Sequence, residues 1–280
     1  MNIYSALKKA DKYLKINNIK SSRLDSEILL SKAINQDRKY IILNPKKKLS
    51  NKVFSCFKKL VIQRSKGTPI AYLLEKKEFW KYEFKITKNV LIPRPDTELI
   101  IEEALKVSKN KLKLKILDIG VGSGCIILSI LKERKDFNGV GIDISQKSIG
   151  LSKLNSKNLG VQNRVKFIKT DIDNFNHGKY DLVISNPPYI KKLDLKYLEK
   201  DIIKFEPKLA LDGGLDGISE ISSVINKSSE LIKKNGKFLL EIASDQKRVV
   251  KKLLKNKGFY INRILKDYGN NDRCIVSTKI

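Results

Sequence analysis

Asn186-Pro187-Pro188-Tyr189 is the stretch of this chain whose residue types and spacing point most directly to chemistry. It follows Tyr180-Asp181-Leu182-Val183-Ile184-Ser185, whose β-branched apolar residues predict a buried strand over 181–185. Neither proline can donate to a sheet ladder, so the strand stops there. A carboxamide, two rigid residues and an aromatic ring are thus delivered to a strand's carboxyl end, the edge where open α/β sheets bind ligands. The Asn186 and Pro187 carbonyls can both accept from one NH2 group, holding a planar, weakly basic nitrogen while the Tyr189 ring packs on its plane. Without a ligand, the same four residues are an Asn-Pro turn capped by a tyrosine.

A second group lies upstream. Asp118-Ile119-Gly120-Val121-Gly122-Ser123-Gly124 joins an apolar run to a helix, with glycines at every second position rather than in the dinucleotide spacing. Such a loop turns tightly and lets a ligand approach the backbone. Asp143 ends the next predicted strand, where an acid can accept from both hydroxyls of a ribose. Asp171 and Ile172 follow the third, offering a polar edge and an apolar wall to an adenine ring. Any one of these could be a plain strand-end turn; all three in sheet order, with the tetrapeptide, point to a nucleotide-like ligand.

The elements that must position these residues alternate. Strands are expected at 115–119, 139–143, 165–168, 181–185, 237–242, 260–265 and 274–277, with helices at 125–133, 146–159, 217–233 and 245–255. That order predicts an α/β fold with a doubly wound, mostly parallel seven-stranded sheet, one of the last two strands running antiparallel. Residues 1–75 read as a small N-terminal helical domain with helices at 5–16, from Ser21-Ser22 onward, and at 51–66. In the second, Leu24, Ile28 and Leu29 share a face and Ser22 and Asp25 are capping candidates. Period-two spacing over 76–95 predicts a bridging β-hairpin turning at Lys88-Asn89, and 96–280 forms the sheet domain. Asp96 or Thr97 is expected to cap the next helix. Arg94 and Glu98 either tie the hairpin to the ligand pocket or form a helix-start ion pair.

Composition narrows the function. Cys56, Cys125 and Cys274 lie far apart, which argues against a disulfide framework or a zinc site and fits a reducing compartment. The single histidine, His177, sits in a polar loop, so a histidine-dependent nucleophilic triad is not expected. No run reaches the ~18 apolar residues of a membrane span, and no secretory signal is evident. The formal charge of +28 is spread over nearly every segment, which predicts salt-sensitive, non-specific adhesion to polyanions rather than a dedicated nucleic-acid site.

More particular motifs fill the rest of the chain. They are Gly67-Thr68-Pro69-Ile70-Ala71-Tyr72-Leu73-Leu74, Glu78-Phe79-Trp80, Leu91-Ile92-Pro93-Arg94-Pro95-Asp96-Thr97-Glu98, and Phe205-Glu206-Pro207 leading into Ala210-Leu211-Asp212-Gly213-Gly214-Leu215-Asp216-Gly217. With Leu117 to Gly124 and Ser185 to Ile190, they make the sequence resemble the S-adenosylmethionine-dependent class I methyltransferases. Within these it is similar, over essentially its whole length, to the HemK/PrmC family of release-factor glutamine N5-methyltransferases. It departs from that family's pattern at Glu75, Ile172 and Ala243. The resemblance implies a cytoplasmic enzyme that methylates the glutamine of a Gly-Gly-Gln loop in class-1 peptide chain release factors, docked by the helical domain. It implies S-adenosylmethionine held by Gly120, Val121, Gly122, Ser123, Gly124, Asp143, Ile172 and Asn186, with Asn186, Pro187, Pro188 and Tyr189 on the substrate amide. Asn-Pro-Pro-Tyr also occurs in nucleic-acid amino-methyltransferases acting on adenine N6 or guanine N2, the alternative reading. A non-catalytic binding module would require a degenerate pocket, which the intact loop and Asp143 oppose.

Overall fold

The computed structural model describes all 280 residues, which divide into two compact units: 1–76 with 199–205, and 77–198 with 206–280. In the first unit, α1 (Ile3–Ile16), α2 (Ser22–Ile34), α3 (Arg38–Leu43), α4 (Asn51–Ser65) and α5 (Ile70–Leu74) surround a core of Leu14, Leu29, Leu30, Phe57 and their neighbours. Asn2 starts α1 by accepting from the Ser5 amide (2.8 Å), and Ile3, Ala6, Ala10 and Leu14 then bury one stripe at helical spacing. Ser50 caps α4 in the same way. In α2 the expected caps do other work. Ser22 lies inside the helix and donates to Asp11, while Asp25 is an ion-pair partner of Arg64 (2.7 Å). Leu24, expected on the apolar face, is exposed, and Leu30 is buried beside Leu29 instead. The short α3, too brief to show periodicity, was not expected. Glu75 ends α5 at φ 61°, a left-handed position in which glycine avoids the Cβ penalty. The first unit is completed by a short helix over Lys200–Phe205, where Asp201 accepts from Arg64 (3.3 Å).

The second unit begins with a tight hairpin, β1 (Lys76–Phe79) and β2 (Tyr82–Lys85), turning at Trp80-Lys81 with Trp80 at φ 58°. A turn does form at Lys88-Asn89, where the Val90 amide donates to the Thr87 carbonyl (3.1 Å), but it joins no strands, and residues 86–94 are irregular despite their apolar run. Period two persists there because Ile86, Val90 and Ile92 are buried although they lie outside any strand. Neither Asp96 nor Thr97 caps α6 (Glu98–Val107), which a 3-10 turn over Pro95–Thr97 feeds without a side-chain cap.

The remaining elements alternate: β3 (Lys115–Ile119), α7 (Cys125–Glu133), β4 (Asn138–Asp143), α8 (Gln146–Asn158), β5 (Val165–Lys169) and β6 (Tyr180–Ser185). Counting the helix at 200–205 as α9, there follow α10 (Ser219–Leu231), β7 (Ile232–Glu241), α11 (Lys247–Asn256), β8 (Phe259–Lys266) and β9 (Asp272–Lys279). The seven strands line up as β5-β4-β3-β6-β7-β9-β8, all parallel except β9, which runs antiparallel to both neighbours. Central strands are buried on both faces, as near-continuous runs such as Ile116-Leu117-Asp118-Ile119 require.

Candidate active site

Sheet order reverses at β3: β4 lies on one side of it and β6, arriving later in the chain, on the other. A crevice opens beyond the carboxyl ends of strands at such a point. Ile119 and Ser185 are register partners there, and Ser185 Oγ donates to the Ile119 carbonyl (2.8 Å), pinning the two strand ends together. The glycine loop and the Asn-Pro-Pro-Tyr loop leave the sheet side by side. Between them lies a cavity of about 430 Å³.

Each loop is held through its backbone. The Gly120 and Val121 amides donate to the Ile142 carbonyl, and the Gly122 amide donates to Asp143 Oδ2 (2.9 Å). From α8, Ser152 Oγ donates to the Gly122 carbonyl and Asn155 Nδ2 to that of Ser123 (2.8 Å). Gly120 adopts φ 76°, and no atom lies within 4 Å of where a Cβ would stand, so its backbone opens onto free space. Asp143 Oδ1 also accepts from the Ser145 amide (2.8 Å). Burial raises the Asp143 pKa, and the Ser145 and Gly122 amides pull it back.

Gly120, Val121, Gly122, Ser123, Asp143, Asp171, Ile172, Asn186, Pro187 and Pro188 all line the cavity; Gly124 and Tyr189 do not. Gly124, at φ 83°, precedes α7 as its cap residue. Tyr189 corrects the expectation of a ring open to an amide plane. Its ring packs against the sheet core, and its phenol donates to Glu241 Oε1 (3.4 Å). Burial and the Glu241 charge push that phenol up to about 12. Asn186 donates from Nδ2 to Thr97 Oγ1 (3.2 Å), which leaves Oδ1 as the atom its carboxamide can offer to the cavity. Arg94 and Glu98 are not partners. Arg94 pairs with the buried Glu206, whose other oxygen accepts from the Ile92 amide, and Glu98 accepts from the Trp80 amide.

Two buried carboxylates stand behind the loops. Asp118, on β3, is pushed up to about 7 by desolvation; the Ile127 amide opposes the shift and the Asp143 charge adds to it. Neither of its oxygens has a partner within hydrogen-bond length, so the Ile127 amide acts on it only from beyond that distance. Glu241, at the end of β7, is likewise raised to about 7 by burial, against the Thr97 hydroxyl and the Arg273 charge.

Residues 5–74 match the PrmC N-terminal domain family and residues 96–261 the methyltransferase small domain family. The release factor glutamine methyltransferase of Clostridium acetobutylicum is 36% identical over 282 residues, covering 100% of this chain and 99% of that one. The enzyme of the same name from Buchnera aphidicola subsp. Schizaphis graminum is 36% identical over 280 residues, covering 100% of both. The chain belongs to the release factor glutamine methyltransferase family. Among solved structures, a Pyrococcus furiosus methyltransferase superposes with a TM-score of 0.52 at 15% identity, covering 70% of this chain and 88% of that one, a likeness of fold.

This family member's cavity has further walls that pattern reading did not single out for it. Thr97 and Glu220 line it, and Gln246 clamps the tetrapeptide from behind by donating to the Tyr189 and Gly217 carbonyls (2.9 and 2.8 Å). Glu241 carried a signal, as the lone acid in the apolar run Leu239-Leu240-Glu241-Ile242. Thr97 carried none, because a threonine before a helix reads as a cap.

Proposed function

We propose that this protein transfers the methyl group of S-adenosylmethionine to the side-chain amide nitrogen, N5, of the glutamine in the Gly-Gly-Gln loop of peptide chain release factors. Membership of the family supports the reaction. The observation that carries the residue roles is the hydrogen bond that turns the Asn186 amino group inward to Thr97 and leaves its carbonyl at the cavity.

The cavity suits the donor. Gly120 gives a ligand direct access to backbone, Asp143 on the cavity wall offers acceptor oxygens to ribose hydroxyls, and Ile172 with Asp171 offers an apolar face beside a polar edge. Gly120 to Gly124 would hold the methionine portion. When bound, the donor supplies an electrophilic methyl carbon on a sulfonium.

The chain's own residues then have to position a poor nucleophile, because an amide nitrogen's lone pair is delocalised. Asn186 Oδ1 and the Pro187 carbonyl accept the two N–H hydrogens and aim the nitrogen at the methyl group. As the N–C bond forms and the methyl–sulfur bond breaks to leave a neutral thioether, the nitrogen would gain positive charge, and those acceptors would bind it more tightly than in the ground state. The amide proton leaves to water after transfer, so no side-chain base is required. Pro187 and Pro188 lose little backbone freedom on ordering and keep the clamp rigid. Tyr189 acts from below, bracing the loop. We assign residues 1–75 to docking the release factor, 76–95 to a linking hairpin and 96–280 to the chemistry. No helix is long and apolar enough to cross a membrane, and we place the reaction in the cytoplasm, with translation.

Asn186→Ala should lower turnover roughly 10²-fold to 10³-fold, the scale seen when one transition-state hydrogen bond is removed, with affinity for S-adenosylhomocysteine much less affected. Labelled methyl incorporation into purified release factor, alongside rRNA, tRNA and DNA, measures it. Unchanged turnover in the variant, or label appearing in nucleic acid instead, refutes the assignment.

A further inference from the structure

The side chains at the two ends of the tetrapeptide turn to two buried groups, the Thr97 hydroxyl and the Glu241 carboxyl. Asn186 Nδ2 donates to Thr97 Oγ1 (3.2 Å), and Tyr189 donates to Glu241 Oε1 (3.4 Å). Thr97 is buried, and its hydroxyl takes no part in capping α6. A hydroxyl has one proton. Since Thr97 Oγ1 accepts from Asn186, its proton remains available to a neighbouring acceptor. Glu241 Oε2 is buried with no partner at hydrogen-bond length. The placement follows from register. Ser185 of β6 pairs with Leu240 of β7, so the next residues along the two chains, Asn186 just past the end of β6 and Glu241 as the last residue of β7, stand as neighbours.

We propose that Thr97 and Glu241 are positioning residues, forming a buried relay that holds the Asn186 carboxamide with Nδ2 inward and Oδ1 facing the substrate nitrogen. The proposal rests on the function stated above and deepens it.

The physical need is specific. The two ends of a carboxamide have nearly the same shape, so packing alone barely distinguishes one orientation from its flip. A flipped Asn186 would present an NH2 group to the substrate's own NH2, donor against donor, and could hold nothing. In its ionised form the Glu241 carboxylate removes the ambiguity because it only accepts. It draws the Thr97 proton towards itself, which turns the hydroxyl's lone pairs towards Asn186 and allows only the amino group to face inward. The Tyr189 phenol, donating to the same carboxylate, ties the far end of the loop to the same anchor. Asn186 is the group that touches substrate; Thr97 and Glu241 act through it.

The test compares Thr97→Val, which keeps the shape and removes the hydroxyl, with Thr97→Ser, which keeps the hydroxyl. Thr97→Ala backs up the first should it fold poorly. Three quantities are read: steady-state methylation of purified release factor, calorimetric affinity for S-adenosylhomocysteine, and the side-chain NH2 resonances of Asn186, assigned by their loss in Asn186→Ala. Thr97→Val should lower kcat about 10²-fold, the scale of an ångström-level misplacement, with KM and ligand affinity within about threefold of the parent. Its Asn186 NH2 protons should exchange faster with water. Thr97→Ser should recover kcat to within about threefold and restore the slow exchange. The relay is overturned if Thr97→Val turns over like the parent, if Thr97→Ser is as impaired as Thr97→Val, or if the Asn186 resonances are indifferent to both. A parent protein that methylates no release factor would sink the function, while the exchange comparison would still decide the relay.

Discussion

Asp118 is the residue whose chemistry and surroundings are most at odds. Its carboxyl is buried, partnerless and raised from an ordinary 3.8 to about 7. A raised carboxyl pKa means that the folded protein holds its proton at a pH where the unfolded chain has released it. The resulting stability is fully present below the unfolded value near 3.8 and is lost as pH rises through about 7. Asparagine at this position cannot ionise and escapes that loss. Asp118→Asn should therefore gain on the parent in ligand-free thermal stability between about pH 5 and pH 8. Melting curves across that range check it; a difference that does not change with pH would show that Asp118 stays ionised throughout. Asp143, by contrast, is half-buried and accepts from two amides, so its charge is supported where Asp118's is not.

Among the elements, the Asn-Pro-Pro-Tyr loop depends on a neighbour far along the chain. Ile190 bridges to Asp212, and the Gly213 amide donates to the Ile190 carbonyl (2.8 Å). At Gly213 a Cβ would stand 2.8 Å from Tyr189 Cα and 2.9 Å from the Pro188 carbonyl oxygen. Both are backbone atoms that cannot swing aside. Gly213→Ala should push the tetrapeptide off its position and lower methyl transfer by roughly 10²-fold. S-adenosylhomocysteine affinity, carried mostly by the glycine loop and Asp143, should fall far less. Equal losses in both would mean that the damage spreads beyond the loop. The particular Asp212-Gly213-Gly214 stretch thus has a mechanical reason: one strand edge lies directly against another.

Over the whole molecule, the segment 199–205 belongs to the first compact unit although the chain on either side of it belongs to the second. Its anchor within that unit is Arg64, which donates to Asp25 (2.7 Å), to Asp201 (3.3 Å) and to the Thr68 carbonyl (3.2 Å). Asp25 is almost fully buried, so removing the guanidinium leaves a charge without its counter-ion. Arg64→Ala should destabilise the protein by about 3 kcal/mol, the scale for breaking a buried pair. Urea denaturation measures it; a change below about 1 kcal/mol would put the pair among exposed ones. The +28 charge is a property of the entire surface, and weak adhesion to polyanions should fade as salt rises.

The sheet was legible because burial on two faces forces unbroken apolar runs: β3 and α7 lie at 115–119 and 125–133 as their pattern predicts. The glycine loop, Asp143 and the tetrapeptide were legible for a related reason, since each follows a strand end, and strand ends are where such runs stop. The hairpin was misplaced because Val90, Leu91 and Ile92 have strand composition yet lie outside any strand. The packing of the Tyr189 ring against the sheet core with its phenol on Glu241, the pairing of Arg94 with Glu206 rather than Glu98, and the hydrogen bond from Asn186 to Thr97 were decided by the tertiary structure alone. These join positions 52 to 112 residues apart in the chain, reckoned from their numbers. A local pattern reports which face a residue turns inward; only the folded sheet determines which distant group it meets there.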